Sequence, residues 1–256
     1  RALFASGLFL MIMWALYPLN FALILLTFIV IGMFFVVLRD MRLVSPVEID
    51  LFQSRERGFV FSLLIIFLLV GSIASIYYQI TRYLGQVAFA RAIDTYNTDG
   101  SVNGAEKLIK NAIDLDAGQD FFYRTYAQLE LVKLQRVIAD QKTNIQEKSK
   151  QFIEIFTNAK GVAEAAISIN KTDAMNYRIL GQIYESAIAF DPDNALGFAI
   201  ENYEKAKKLS PADPSIDVDA ARAYLTYADT KIFQGGGSTS RSIASDARRK
   251  AIDYLV

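Results

Sequence analysis

The sequence contains no cysteine and no histidine among its 256 residues. Without cysteine, the chain forms no disulfide and offers no thiolate as a nucleophile or metal ligand. Without histidine, it lacks the side chain that most often acts as a general base or binds a metal near neutral pH. We therefore predict no catalytic residue, no cofactor and no metal site in this chain.

A net charge is also lacking, because 27 basic residues balance 27 acidic ones. Nucleic-acid-binding domains carry an excess of basic residues, so no nucleic-acid partner is expected. The acidic clusters have simpler explanations than chemistry. Asp191–Asn194 lacks the further oxygen ligands of a calcium loop and is expected to form a turn or a helix cap. Asp213, Asp217 and Asp219 lie at the expected start of a helix, where they offset the helix dipole.

Apolar sequence is abundant and unevenly spread. Hydrophobic residues make up 53% of the chain and dominate its first third. Ala2–Leu38 is too long for one straight span of about 20 residues, and Pro18 interrupts it. We predict two transmembrane helices within 1–38 that form a hairpin; one long kinked helix is the alternative. The charge-free run Phe59–Ile80 predicts a further transmembrane helix over 59–81.

The segment 39–58 between these apolar runs is basic, with Arg39, Arg42, Arg55 and Arg57. Short basic loops remain on the cytoplasmic side of a membrane. We therefore expect 39–58 to be a cytoplasmic loop of a multi-pass protein in contact with membrane lipid. One more crossing after this loop places residues 82–256 on the outer side.

The stretch from Tyr177 to Pro211 has the spacing of a tetratricopeptide repeat, a pair of antiparallel helices of about 34 residues. The matching residues are Tyr177, Leu180, Gly181, Tyr184, Ala199, Tyr203, Ala206 and Pro211. In this pattern glycine and alanine let two helix backbones approach closely, while the aromatic residues fill the space between them. One such hairpin cannot bury its own apolar face, so neighbouring hairpins are expected.

A similar spacing of small residues recurs along 82–256, for example at Ala105 and Ala112, and no strand-like alternation is present. The predicted fold is all-α: transmembrane helices followed by a tetratricopeptide-like α-solenoid of about four antiparallel helix pairs. Lys142–Lys150 is expected to be a loop or a frayed helix end. Ala189–Gly197 is expected to lengthen the connection within its hairpin, and Phe233–Ser240 to form a glycine-rich loop.

Tyrosines are the side chains that we expect to reach a partner. Most of them fall on repeat core positions, where packing explains them. Tyr123, Tyr126 and Tyr224 are the candidates for lining a concave groove. Their aromatic faces suit stacking on sugars or gripping a peptide.

The order of parts resembles the C-terminal end of bacterial O-antigen ligase or polymerase-like membrane proteins that carry trailing tetratricopeptide repeats. The likeness rests on K-N-A-I-D-L at Lys110–Leu115, N-Y-R-I-L-G-Q-I-Y at Asn176–Tyr184 and A-I-E-N-Y-E-K-A at Ala199–Ala206. The resemblance implies the inner membrane of a bacterium and a glycan or lipid-linked polysaccharide partner. In that family the catalytic residues lie in earlier spans and in a large outer loop, so none is carried over to this chain. The opening at Arg1 is expected for a piece of a longer protein, with a processed terminus as the alternative.

Two functions follow as hypotheses. The first is a membrane-anchored scaffold whose repeats bind a protein or glycan partner outside the cytoplasmic membrane. The second is the non-catalytic tail of a polysaccharide ligase, in which the repeats position the acceptor for chemistry performed elsewhere.

Overall fold

The structure is a computed structural model that describes residues 2–16, 21–41, 55–140, 144–235 and 237–255. Within these ranges the chain forms ten helices and no strand, which confirms the all-α prediction for this part of the chain. The helices are α1 (Ala2–Leu16), α2 (Phe21–Asp40), α3 (Arg55–Asp99), α4 (Val102–Leu115), α5 (Asp120–Ala139), α6 (Ile145–Ile169), α7 (Ala174–Ser186), α8 (Pro192–Leu209), α9 (Pro214–Gly235) and α10 (Ser238–Asp253).

The chain divides into two compact units, Arg1–Gly71 and Ser72–Val256. In the first unit, α1 packs against α2 and buries Leu10, whereas most other described side chains of these two helices are exposed. The predicted turn at Pro18 and most of the basic loop, 42–54, lie outside the described residues.

Only one helical segment among the described residues is long and apolar enough to cross a membrane. It is Gly58–Asp99, whose most apolar window has a mean hydropathy of 2.7 and no buried residue. This segment contains the span predicted over 59–81. The two spans predicted within 1–38 are not supported by the same criterion and stay predictions.

The C-terminal part of α3 belongs to the packed helices of the second unit. Gly85, Ala88 and Ala92 are buried there, whereas residues 62–80 are exposed throughout. Ala92 contributes to one apolar cluster with Ile109 of α4 and other residues of α4 and α5. α3 ends where Gly100 takes a φ of 62°, a left-handed conformation that glycine adopts without steric cost.

Helix hairpins follow one another along the rest of this unit. α5 packs on α6, α7 on α8 and α9 on α10, and the first helices α5, α7 and α9 also contact each other in chain order. Ala127, Gly181 and Ala221 occupy the same position counted from the start of these three helices, and all are buried. Small residues at that position allow close helix approach, as in a tetratricopeptide-like array.

The connections between helices are shorter than the composition of the sequence predicts. α8 begins at Pro192 and α9 continues to Gly235, both within segments predicted to be loops. α6 begins at Ile145, which agrees with the alternative of a helix end at Lys142–Lys150. Pro192 suits the first turn of a helix, where its missing N–H is not needed. Ala195 is buried in the main core, so packing favours helix in a segment that contains turn-forming residues.

Candidate binding surfaces

The repeat signature forms the contact between α7 and α8. Leu180, Ala199 and Ala206 are buried, and Tyr203 is only 1% exposed. A Cβ atom on Gly181 would lie 2.6 Å from Cε1 of Tyr203. The glycine therefore makes room for the tyrosine ring.

The remaining signature residues lie at the edge of this contact. Tyr177 and Tyr184 are half-buried against the main core. The Tyr184 ring stacks on Phe198, with 5.0 Å between centroids. Pro211 is exposed in the turn between α8 and α9.

A groove of about 490 Å³ runs across α5, α7 and α9, and we name it the first-helix groove. Its lining includes Leu131, Gln135, Gln182, Glu185, Arg222 and Thr226. All three helices are the first members of their hairpins. Tyr123, Tyr126 and Tyr224, the predicted groove residues, are not among its described lining residues.

A polar network fixes the wall of the first-helix groove. Arg222 donates two hydrogen bonds to the Glu185 carboxylate, at 2.7 and 3.0 Å. These bonds raise the pKa of Arg222, against the opposing effect of burial. Glu185 also accepts a hydrogen bond of 2.6 Å from the Tyr203 hydroxyl. The groove wall is thereby tied to the core of the α7–α8 hairpin.

Asp219 lies at the centre of the same network. The sequence predicted that it offsets the dipole at a helix start, and its contacts in the structure are different. Its side chain is 3% exposed and pairs with Arg178 at 2.6 Å and with Arg222 at 3.0 Å. Gln182 donates a further hydrogen bond of 3.0 Å to it. Asp219 therefore links α7 to α9 and does not serve as a solvated charge at a helix start. Asp213 does act at the helix start, accepting a hydrogen bond from the Ser215 N–H.

Two of the predicted tyrosines meet in a separate cavity of about 570 Å³ between α4, α5 and α6, which we name the tyrosine pocket. Its lining includes Lys110, Asp114, Tyr123, Tyr126, Glu154 and Asn158. Tyr224 is not among the residues lining this pocket and lies beside Tyr254, with 5.9 Å between ring centroids. The structure thus brings Tyr123 and Tyr126 together and separates Tyr224 from them.

Two lining residues of the tyrosine pocket, Lys110 and Tyr126, belong to a network of charged groups on α4 and α5. Glu106 pairs with Lys110 at 2.6 Å and with Lys133, and Lys133 pairs with the buried Glu130 at 2.6 Å. Burial alone raises the pKa of Glu106, but the hydrogen bonds from both lysines outweigh burial and lower that pKa. Tyr126 donates a hydrogen bond of 3.2 Å to Glu106. The spacing of these residues along α4 and α5 gave no direct signal of this network.

Asp191–Asn194 forms the start of α8 rather than a separate turn: Asp191 is the N-cap residue, and Asp193 and Asn194 lie in the first helical turn. Asp193 accepts hydrogen bonds from Lys231 at 2.8 Å and Tyr227 at 2.7 Å, which lower its pKa. Asn194 donates to the Asp191 carboxylate at 2.9 Å. No group of three or more acidic residues within the described ranges is arranged to hold a metal ion.

No protein-family model matches the sequence, and no curated protein matches it. Two crystal structures of MamA are similar to the chain at a low level. One shares 20% identity, covers 67% of this chain and 78% of that chain, and has a TM-score of 0.42. The other shares 20% identity, covers 70% and 91%, and has a TM-score of 0.27. Because both scores are low, the fold described above rests on the helix contacts of this protein itself.

Proposed function

We propose that the chain is a membrane-anchored scaffold that binds a protein partner along the first-helix groove, on the outer side of the cytoplasmic membrane. The observation that carries the proposal is the groove of about 490 Å³ formed by α5, α7 and α9. Repeat arrays offer such extended surfaces because each hairpin contacts its neighbours in series. Gln135 supplies an uncharged amide group to a partner backbone, while Gln182 and Thr226 line the groove and are bonded to Asp219 and to the Arg222 carbonyl. A glycan is the alternative partner for the same chemistry.

The surface continues beyond the groove along α5. Gln128 and Gln135 are seven residues apart and share one face of the helix, about 10 Å apart along its axis. Gln128 lines a smaller cavity of about 170 Å³ between α3, α4 and α5. An extended chain that crosses the first helices suits this elongated surface better than a compact ligand does.

Membrane anchoring is supported by the exposed apolar surface of α3. Phe67 is 76% exposed, and its neighbours in residues 62–80 are exposed as well. Exposed apolar surface of this length is stable in the hydrocarbon core of a bilayer. With the basic segment 39–58 on the cytoplasmic side, residues 82–256 lie outside.

Site-specific photocross-linking tests the scaffold proposal in the membrane. A photoreactive amino acid at Gln135 or Thr226 should give the same polypeptide adduct, while one at the exposed Asp99 or Lys208 should not. The purified adduct partner should then bind the full chain in detergent, and Thr226→Trp should weaken that binding by obstructing the groove. Adducts shared with the control positions, or an unchanged affinity of the Thr226→Trp variant, contradict the proposal. Retention of a glycan but no protein supports the alternative partner.

The second hypothesis, the tail of an O-antigen ligase-like protein, is favoured by the order of apolar helices followed by helix hairpins. In this case the groove positions an acceptor glycan. Deleting residues 82–256 should lower polysaccharide transfer while the rest of the protein remains in the membrane. Unchanged transfer rejects this hypothesis.

A further inference from the structure

The tyrosine pocket has two aromatic walls, and only one of them holds a cation from the protein itself. Lys110 Nζ lies 5.3 Å from the Tyr126 ring centroid and also pairs with Glu106 at 2.6 Å. Among the described residues, cations lie over the rings of Tyr78, Tyr126, Tyr224 and Tyr227, and none lies over the half-buried Tyr123 ring. An ammonium or guanidinium over a tyrosine face is attracted by the ring quadrupole. Tyr123 therefore offers a second, unused cation-binding surface.

Two carboxylates line the same pocket without a compensating charge. Asp114 and Glu154 are both exposed, and neither forms an ion pair with any other described residue. Burial, followed by the charge of Asp114, raises the pKa of Tyr123, so this carboxylate and this ring interact. Because Glu106 neutralises Lys110, the free negative charge of the pocket is that of Asp114 and Glu154.

The other walls suit an apolar stem. Ile113, Val162 and Ala165 contribute aliphatic surface, and nothing lies within 4 Å of a Cβ built on Gly161. Lysine and arginine combine an aliphatic stem with a cationic head and bury the first while the second reaches polar groups. The cavity of about 570 Å³ has the size of pockets that enclose compact ligands.

We propose that the tyrosine pocket binds a lysine or arginine side chain of a protein partner. The cationic head lies between the Tyr123 ring and the carboxylates of Asp114 and Glu154, and the stem lies on Ile113 and Val162. This site goes beyond the first-helix groove and uses different side chains. The two sites can therefore be tested separately, and either can fail without the other.

Fluorine NMR of the full chain in detergent micelles, labelled with fluorotyrosine, provides the test. The probes are acetylated, amidated pentapeptides of four glycines around a central lysine, arginine or norleucine. The Tyr123 resonance, assigned with Tyr123→Phe, should shift saturably with the lysine and arginine peptides. The norleucine peptide keeps the aliphatic stem and lacks the charge. Its affinity should be lower than that of the lysine peptide by about fivefold or more.

Matched variants separate the site from general electrostatics. The double variant Asp114→Asn, Glu154→Gln should weaken binding of the lysine peptide about fivefold or more. The control pair Asp99→Asn, Asp253→Asn removes the same charge from exposed positions outside the pocket and should change binding less than about twofold. Gly161→Leu should also block binding, because Gly161 lines the pocket and nothing lies within 4 Å of the Cβ from which the new side chain extends.

Four results overturn the inference. The first two are a Tyr123 resonance that shows no saturable shift and a norleucine peptide that binds as tightly as the lysine peptide. The other two are a control pair that loses as much affinity as the Asp114→Asn, Glu154→Gln variant, and tighter binding of maltotriose than of the lysine peptide. Thr226→Trp, which obstructs the first-helix groove, should leave affinity for the lysine peptide unchanged. Failure of the groove proposal is thereby distinguished from failure of this one.

Discussion

Replacing Gly181 by alanine tests the close contact between α7 and α8. The new Cβ would lie 2.6 Å from Cε1 and 2.8 Å from Cδ1 of Tyr203. Unstrained carbon contacts are about 3.5–4.0 Å, so the ring or the helix must move by about 1 Å. The ring is almost fully buried and its hydroxyl is bonded to Glu185 at 2.6 Å, so it has little freedom to move.

The expected magnitude is the difference between two effects. Overpacking a core contact costs about 1–3 kcal/mol, and alanine gains about 1 kcal/mol over glycine within a helix. Gly181→Ala should therefore lower the free energy of unfolding by about 0–2 kcal/mol. Gly181→Leu should cost more, on the order of 2 kcal/mol or above.

Gly197→Ala in α8 is the matched control, because no atom lies within 4 Å of the position that its new Cβ would occupy. It should stabilise the protein by about 0.5–1 kcal/mol. The assay is guanidinium unfolding of the full chain in detergent micelles, followed by far-UV circular dichroism. In a Tyr203→Leu background the cost of Gly181→Ala should fall, since the clashing ring is gone. A Gly181→Ala variant as stable as Gly197→Ala refutes the reasoning.

Three further predictions concern the polar network, pH and the membrane. Arg178→Met removes the nearest partner of the buried Asp219 and should lower the free energy of unfolding by about 1.5–3 kcal/mol in the same assay. An unchanged free energy of unfolding contradicts this expectation. Burial and Glu185 raise the pKa of Tyr203 above 10.0. The unfolded state therefore releases this proton at lower pH than the folded state does, and the free energy of unfolding should fall above pH 10. Tyr203→Phe should flatten that fall, and an unchanged alkaline stability profile of this variant contradicts the assignment. Phe67→Arg should make the free energy of membrane insertion less favourable by about 2.5–3.5 kcal/mol, measured by membrane fractionation. Ala90→Arg, on the packed part of α3, should leave insertion unchanged. Equal effects of the two variants argue against a membrane span.

The repeat contact was predictable from sequence because its determinants are local. Leu180 and Gly181 share one helix, Ala199 and Tyr203 share the next, and the helical period alone sets which of them face each other. The same local signals predicted the all-α fold and the exposed apolar segment of α3. They did not predict the short connections, because packing of residues such as Ala195 extended the helices into segments with loop-like composition.

The candidate sites depended on tertiary structure because their groups come from helices far apart in the chain. Arg178 and Asp219 are 41 residues apart, and no periodic pattern links them. The tyrosine pocket likewise joins Asp114 of α4 and Tyr123 of α5 to Glu154 of α6. Spacing within one helix determines which face is buried, but only the stacking of several helices decides which charges meet on that stack and which remain unpaired.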